Sequence, residues 1–276
     1  MKTFDIIAEK TKIPISTSWH LNDLREARDK QERRTKQSAD QPTGLRKNAL
    51  TESAVSSNRI EGVTIDHSRI ETVLFGNAPL HDSDEREVRG YADAIKMIYQ
   101  LAETLQVSEQ TILQLHRLSR ANVGDAGHYK RKDSDIIEKY PDGRERVRFK
   151  TVSAQATPVI MGELVEAWQQ CQRRDRHPLI AMAAMNLDFL CIHPFRDGNG
   201  RVSRLLLLLL CSHLGYEVGR YISLERLIEE NKERYYETLD QSSQGWQVGK
   251  HDPWPYINFI LFILKSAYRE FEETSR

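Results

Sequence analysis

The sequence predicts an all-α protein with one β-hairpin, and three observations predict it. Apolar residues recur at helical spacing along most of the chain. One stretch alone, 133 to 152, breaks that period, with two short β-forming runs around Pro141-Asp142-Gly143. The 276 residues, 39% of them hydrophobic, are enough to bury a sizeable core.

Residues 18 to 38 place sparse apolar side chains among many charges and read as an exposed helix with a solvated face. A second helix, about 46 to 61, ends at "SNRIEGV", where Gly62 suits the position just past a helix end. The turn formers of "FGNAPLHDSDE", 75 to 85, mark a linker between an N-terminal helical region, 1–80, and a main body, 81–276. Helix resumes through Val88, Tyr91, Ile95 and Ile98, and again after a Ser108 N-cap through Ile112, Leu113, Leu115 and Leu118. Beyond the hairpin, helices are expected over about 159 to 173, Pro178 to Ile192, about 199 to 214 with Gly215 as the stop, and about 223 to 241. A last helix follows Pro253 and Pro255 to the end. Leu205 to Leu210 reads as the core of a central helix. The stripe Ile257, Ile260, Leu261, Leu264 reads as packing, with a homodimer face as its second reading.

Forty basic residues balance forty acidic ones, so no net field draws the chain to nucleic acid or to an anionic membrane. The longest apolar run, Leu205 to Cys211, falls far short of the roughly 18 residues that a membrane span needs. Cys171, Cys191 and Cys211 are odd in number and widely spaced, which suggests neither a disulfide framework nor a thiolate zinc site. A cytoplasmic location is expected.

The chemistry concentrates in "HPFRDGNGR", His193 to Arg201. Pro194 disfavours the α conformation before it, so the preceding helix should stop and leave His193 at its lip. Gly198 and Gly200 let successive N–H groups converge as the next helix begins, which makes an anion nest suited to phosphate. Arg201 and Arg204 lie one turn apart on one face, within reach of successive phosphates. Asp197 offers a hard oxygen for Mg2+ beside them, and His193 can accept a proton near neutral pH. Together these are the parts for attack of a hydroxyl on phosphorus. The competing interpretation is a plain Gly-Asn turn between two buried helices.

The same nine residues resemble the signature of Fic-domain proteins, His-Pro-Phe-x-Asp/Glu-Gly-Asn-Gly/Lys-Arg, and every specified position agrees. The resemblance implies the Fic fold, a multi-helix bundle with a β-hairpin flap, and transfer of AMP from ATP to a hydroxyl of a protein target. By the same resemblance His193 is the base and Asp197 the Mg2+ ligand. Gly198, Asn199, Gly200 and Arg201 hold the phosphates, Arg196 belongs with the nucleotide contacts, and Phe195 packs the loop on the core. Arg204 would meet the γ-phosphate, while Tyr236 and Ser243, in "RYYETLDQSSQGW", match positions that border adenine. The flap would dock the target's Ser, Thr or Tyr segment by strand addition, with the chain itself as a second candidate target. "GHYKR", Gly127 to Arg131, resembles the segment entering the flap and receives no chemistry.

Ser57 to Gly62, "SNRIEG", resembles the inhibitory motif Ser/Thr-x-x-x-Glu-Gly/Asn, in the class that places it before the Fic core. A carboxylate at a helix C-terminus is electrostatically disfavoured, so Glu61 needs a cation, and Arg204 is the candidate. The implied protein is an adenylyltransferase autoinhibited through Ser57 and Glu61. The alternatives are a hydrolase in which Glu61 orients water to remove AMP, and a nucleotide-binding regulator without turnover.

Overall fold

The computed structural model describes residues 1–8, 13–37, 42–102, 104–139, 143–171 and 177–274. Among them are twelve α-helices: α1 Lys2–Ala8, α2 Ile15–Gln37, α3 Pro42–Ile60, α4 Ile70–Phe75, α5 Ser83–Gln100, α6 Glu109–Ser119, α7 Thr157–Cys171, α8 Pro178–Ile192, α9 Asn199–His213, α10 Leu224–Glu230, α11 Lys232–Ser243 and α12 Trp254–Thr274. Strands β1 Ile136–Lys139 and β2 Glu145–Phe149 pair antiparallel between α6 and α7, with Ile137 opposite Val147. The Pro141-Asp142 part of the expected turn lies outside the described residues.

Every residue of α8 from Leu179 to Ile192 is buried, as a helix apolar all round must be, and α9 buries Leu205 to Leu210 against it. These two helices form the centre. α12 turns Ile257, Ile260, Leu261 and Leu264 inward, so that stripe is core. α2 lies along α12, burying Leu21 and Leu24. Phe4, Leu21, Leu24, Ala54 and Ile60 of the first 80 residues join the same hydrophobic core as α8 and α9.

Two expectations need correction. The helix expected over 223 to 241 is two, because the Asn231 side-chain amide donates to Leu227 O at 2.9 Å and the chain bends between α10 and α11. Pro255 does not precede the last helix but sits in its first turn, where its missing N–H costs nothing.

Two buried carboxylates tie outer elements to the centre. Asp188 of α8 accepts from Thr3 Oγ1 at 2.6 Å, from the Thr3 N–H, and from Trp246 Nε1, which docks α1; burial pushes its pKa up to about 6. Glu225 of α10 accepts from Ser53 Oγ at 2.7 Å and Tyr91 Oη at 3.0 Å, which fastens α3. Arg226–Glu52 at 3.0 Å, Arg59–Glu229 at 3.2 Å and Lys232 Nζ to Ile60 O at 3.0 Å extend that fastening along α3.

Candidate active site

The loop between α8 and α9 is built by its own residues. α8 stops before Pro194, and His193 caps it in the left-handed region, φ 53° and ψ 60°, with its N–H on Phe189 O. Phe195 is fully buried and stacks on His116, ring centroids 3.8 Å apart. The His116 Nδ1 accepts the Gly127 N–H at 2.9 Å, so its proton sits on Nε2, which donates to Asp197 O at 3.0 Å. Burial pushes the His116 pKa down to about 4, which keeps this tautomer neutral. Gly198 has φ +84°, and a Cβ there would crowd Arg120 and His116, so the turn requires glycine.

Asn199 spends its side chain on the loop. Its Oδ1 accepts the Phe195 N–H at 2.9 Å and its Nδ2 donates to Phe195 O at 2.8 Å. Asn199→Ala is therefore expected to orphan two buried backbone groups, at about 1–3 kcal/mol each. The melting temperature should fall by several degrees, and a calorimetric scan matching wild type would contradict the clamp.

Both arginines are engaged by protein groups: Arg204 takes the Glu61 partner expected from the sequence, and Arg201 takes one from α5. Arg201, 1% exposed, pairs with Glu87 of α5 and donates to Asn58 Oδ1 at 3.2 Å. Arg204, 3% exposed, donates through Nε to Ser57 Oγ at 2.8 Å and through Nη2 to Ser57 O at 2.9 Å and Glu61 Oε1 at 2.8 Å. Its Nη1 is buried with no acceptor and would lie 3.3 Å from a Cβ on Gly200. An orphaned cationic donor at the head of α9 fits a missing anion. A Gly200 Cβ would also overlap the Glu61 carboxylate, so that carboxylate lies where the nest faces outward.

Asp197 keeps a side chain that is 58% exposed, with Oδ2 3.0 Å from Arg120 and Oδ1 accepting the Gly198 N–H. One accessible carboxylate beside an anion nest suits Mg2+, which takes few protein ligands and completes its shell with phosphate oxygens and water.

A cavity of about 350 Å3 opens beside the loop, and Glu61, His193, Arg196, Gly200, Tyr236 and Ser243 all line it. Phe195, Asp197, Gly198, Asn199, Arg201 and Arg204 do not. Arg148 of β2 closes one side, bonded to Asp240 at 3.0 Å and to Tyr236 O at 3.3 Å. The Ser243 hydroxyl donates to Asp240 O, and Tyr236 is half-buried. His193 is half-buried on the cavity wall. Its Nδ1 is buried and turned to the Leu190 backbone, which leaves Nε2 for an incoming group. Burial first, then the Lys130 ammonium, push its pKa down to about 4, so the imidazole is neutral at pH 7.

Sequence reasoning missed His116, Glu87, Arg120 and Arg148. His116 and Glu87 carried a signal: each falls on the apolar stripe of its helix, where a polar residue needs a buried partner.

Residues 106–211 match the Fic/DOC family. The chain is similar to the protein adenylyltransferase Fic of Drosophila virilis, 25% identical over 222 residues, covering 78% of this chain and 41% of that protein. It is likewise 25% identical over 230 residues to that of Nematostella vectensis, covering 78% and 47%. The chain thus spans less than half the length of these curated relatives. A Fic family protein from Desulfovibrio desulfuricans superposes with a TM-score of 0.76 at 24% identity, covering 96% of this chain and 76% of that one. The arrangement is that of the Fic fold. Over residues 106–211 and in its fold, this chain is similar to Fic-domain proteins.

Proposed function

We propose that the chain transfers AMP from ATP to a Ser, Thr or Tyr hydroxyl of a protein, and that Glu61 holds it inhibited. The observation carrying this is the neutral imidazole of His193 on the wall of a cavity that ends at the anion nest of α9. The target oxygen bonds to the α-phosphorus, the bond to pyrophosphate breaks, and His193 Nε2 takes the hydroxyl proton. The phosphates lie against the Gly198–Gly200 backbone and the Arg204 guanidinium, and Asp197 would hold Mg2+, whose charge offsets that of the phosphates. For that, Glu61 must release Arg204, and Arg120 must release Asp197. Tyr236 and Ser243 border the adenine, and the target segment adds a strand to the hairpin.

Because Glu61 shares the cavity with His193, a second reaction is available: its carboxylate orients a water that removes AMP from a modified target. The experiment that separates these incubates Glu61→Gly protein with α-labelled ATP and a cell lysate, with His193→Asn as control. Label on protein, lost in the control, supports transfer; a labelled band at the chain's own mass reads self-modification. Release of AMP from pre-modified protein that requires Glu61 supports removal. ATP bound without either would indicate a regulator.

A further inference from the structure

Gly127 to Arg131 takes no part in the proposed reaction, yet Lys130 within it is 4% exposed and grips the chain on both sides of His193. Its backbone N–H donates to Pro194 O at 2.9 Å, and its ammonium donates to Ile192 O at 3.5 Å and to Thr151 Oγ1 at 2.8 Å. The two carboxylates whose fields it feels are both occupied: Asp135 accepts the Thr151 N–H at 3.0 Å and Asp133 the Ala154 N–H at 2.7 Å. A buried ammonium held by neutral oxygens is costly and calls for a reason.

His193 presents two needs that this lysine meets. A left-handed backbone is strained for a non-glycine residue and must be held from outside. The imidazole must also stay unprotonated. Lys130, Glu61 and Asp197 act on it, and Asp135, Arg148, Arg196 and Asp240 line the same cavity; after burial, Lys130 acts most strongly, and it opposes protonation.

We propose that Lys130 is a positioning residue for His193, fixing the carbonyls on either side of it and keeping a positive charge beside the ring so that the ring remains a neutral base. This rests on His193 being the base of the transfer reaction. The Thr151 hydroxyl that accepts from Lys130 donates in turn to Ser134 O, at the root of the hairpin, so the lysine also joins the flap's base to the histidine.

The test compares Lys130→Met and Lys130→Arg in a Glu61→Gly parent, with two readouts. In histidine-labelled protein, with the His193 resonance assigned against a His193→Asn variant, NMR titration should show the His193 pKa rising by about one unit in the Met variant and staying near the parent's in the Arg variant. The plateau kcat for transfer should fall about tenfold or more in the Met variant, with KM for ATP little changed, and arginine should restore most of it. Should the Met variant fail to fold, Lys130→Gln replaces it, and the same pKa rise is required. An unmoved His193 pKa, or arginine performing no better than methionine, overturns the proposal. A parent without transfer would sink the proposed function, while the titration still decides this point.

Discussion

Replacing His193 is expected to lower AMP transfer by about 10²–10⁴-fold, the usual contribution of a positioned base. ATP binding should survive, because the nest, Arg204 and the cavity walls are built by other residues. Asparagine is the better substitute than alanine, since it adopts the left-handed backbone of this position more readily. The wild-type pH profile carries a further expectation. With the imidazole pKa near 4, transfer should be flat from about pH 6 to 8 and decline only as the ring protonates below about pH 5. Stability shifts in the same direction. The His193 and His116 pKa values lie below the unfolded value of 6.5, so their contribution is present above 6.5 and is lost as pH falls toward 4. Asp188, raised to about 6, acts oppositely: its contribution is full below its unfolded pKa of 3.8 and is lost as pH rises through 6. Circular dichroism at each pH separates unfolding from loss of the base. A transfer rate that halves near pH 6.5 in folded protein would rule out the neutral imidazole.

Glu61→Gly is expected to raise transfer by about 5–150-fold, the range spanned by coupling energies of about 1–3 kcal/mol. Glu61 and Ser57 together occupy Nε and Nη2 of Arg204, and the Glu61 carboxylate stands at the head of α9 against Gly200. Removing it frees both the donor and the space. Ser57→Ala should activate less, because Arg204 keeps the Ser57 carbonyl and Glu61. Glu61→Gln, which keeps the volume and loses the charge, should fall between wild type and glycine. Labelled-AMP incorporation ranks the four proteins, and equal rates for wild type and Glu61→Gly would end the inhibitory reading.

Much of this was legible because it is local. The helix stop at Pro194, the glycine at φ +84° and the nest at the start of α9 follow from adjacent residues, so "HPFRDGNGR" announces its own geometry. The helices were legible from apolar period. What stayed hidden depends on docking between distant segments. The pairing of Arg201 with Glu87 of α5, 114 residues away in sequence, and the clamp of the Asn199 amide on Phe195 cannot be read from local pattern. The break at Asn231 is hidden in the sequence because the side chain competes with a helix that the apolar pattern alone would continue.

The way α3 is moored has a kinetic consequence. Ala54, Ser57 and Asn58 are fully enclosed, and the helix is bolted to α10 and α11 along its length, so lifting it away would be slow and expensive. Glu61 lies just beyond the last turn, beside Gly62, with a side chain 29% exposed. On the proposed reading, release of the brake needs only a rotamer change of one side chain on a stationary post, so the resting protein should leak activity in proportion to the fraction of time the carboxylate is turned aside.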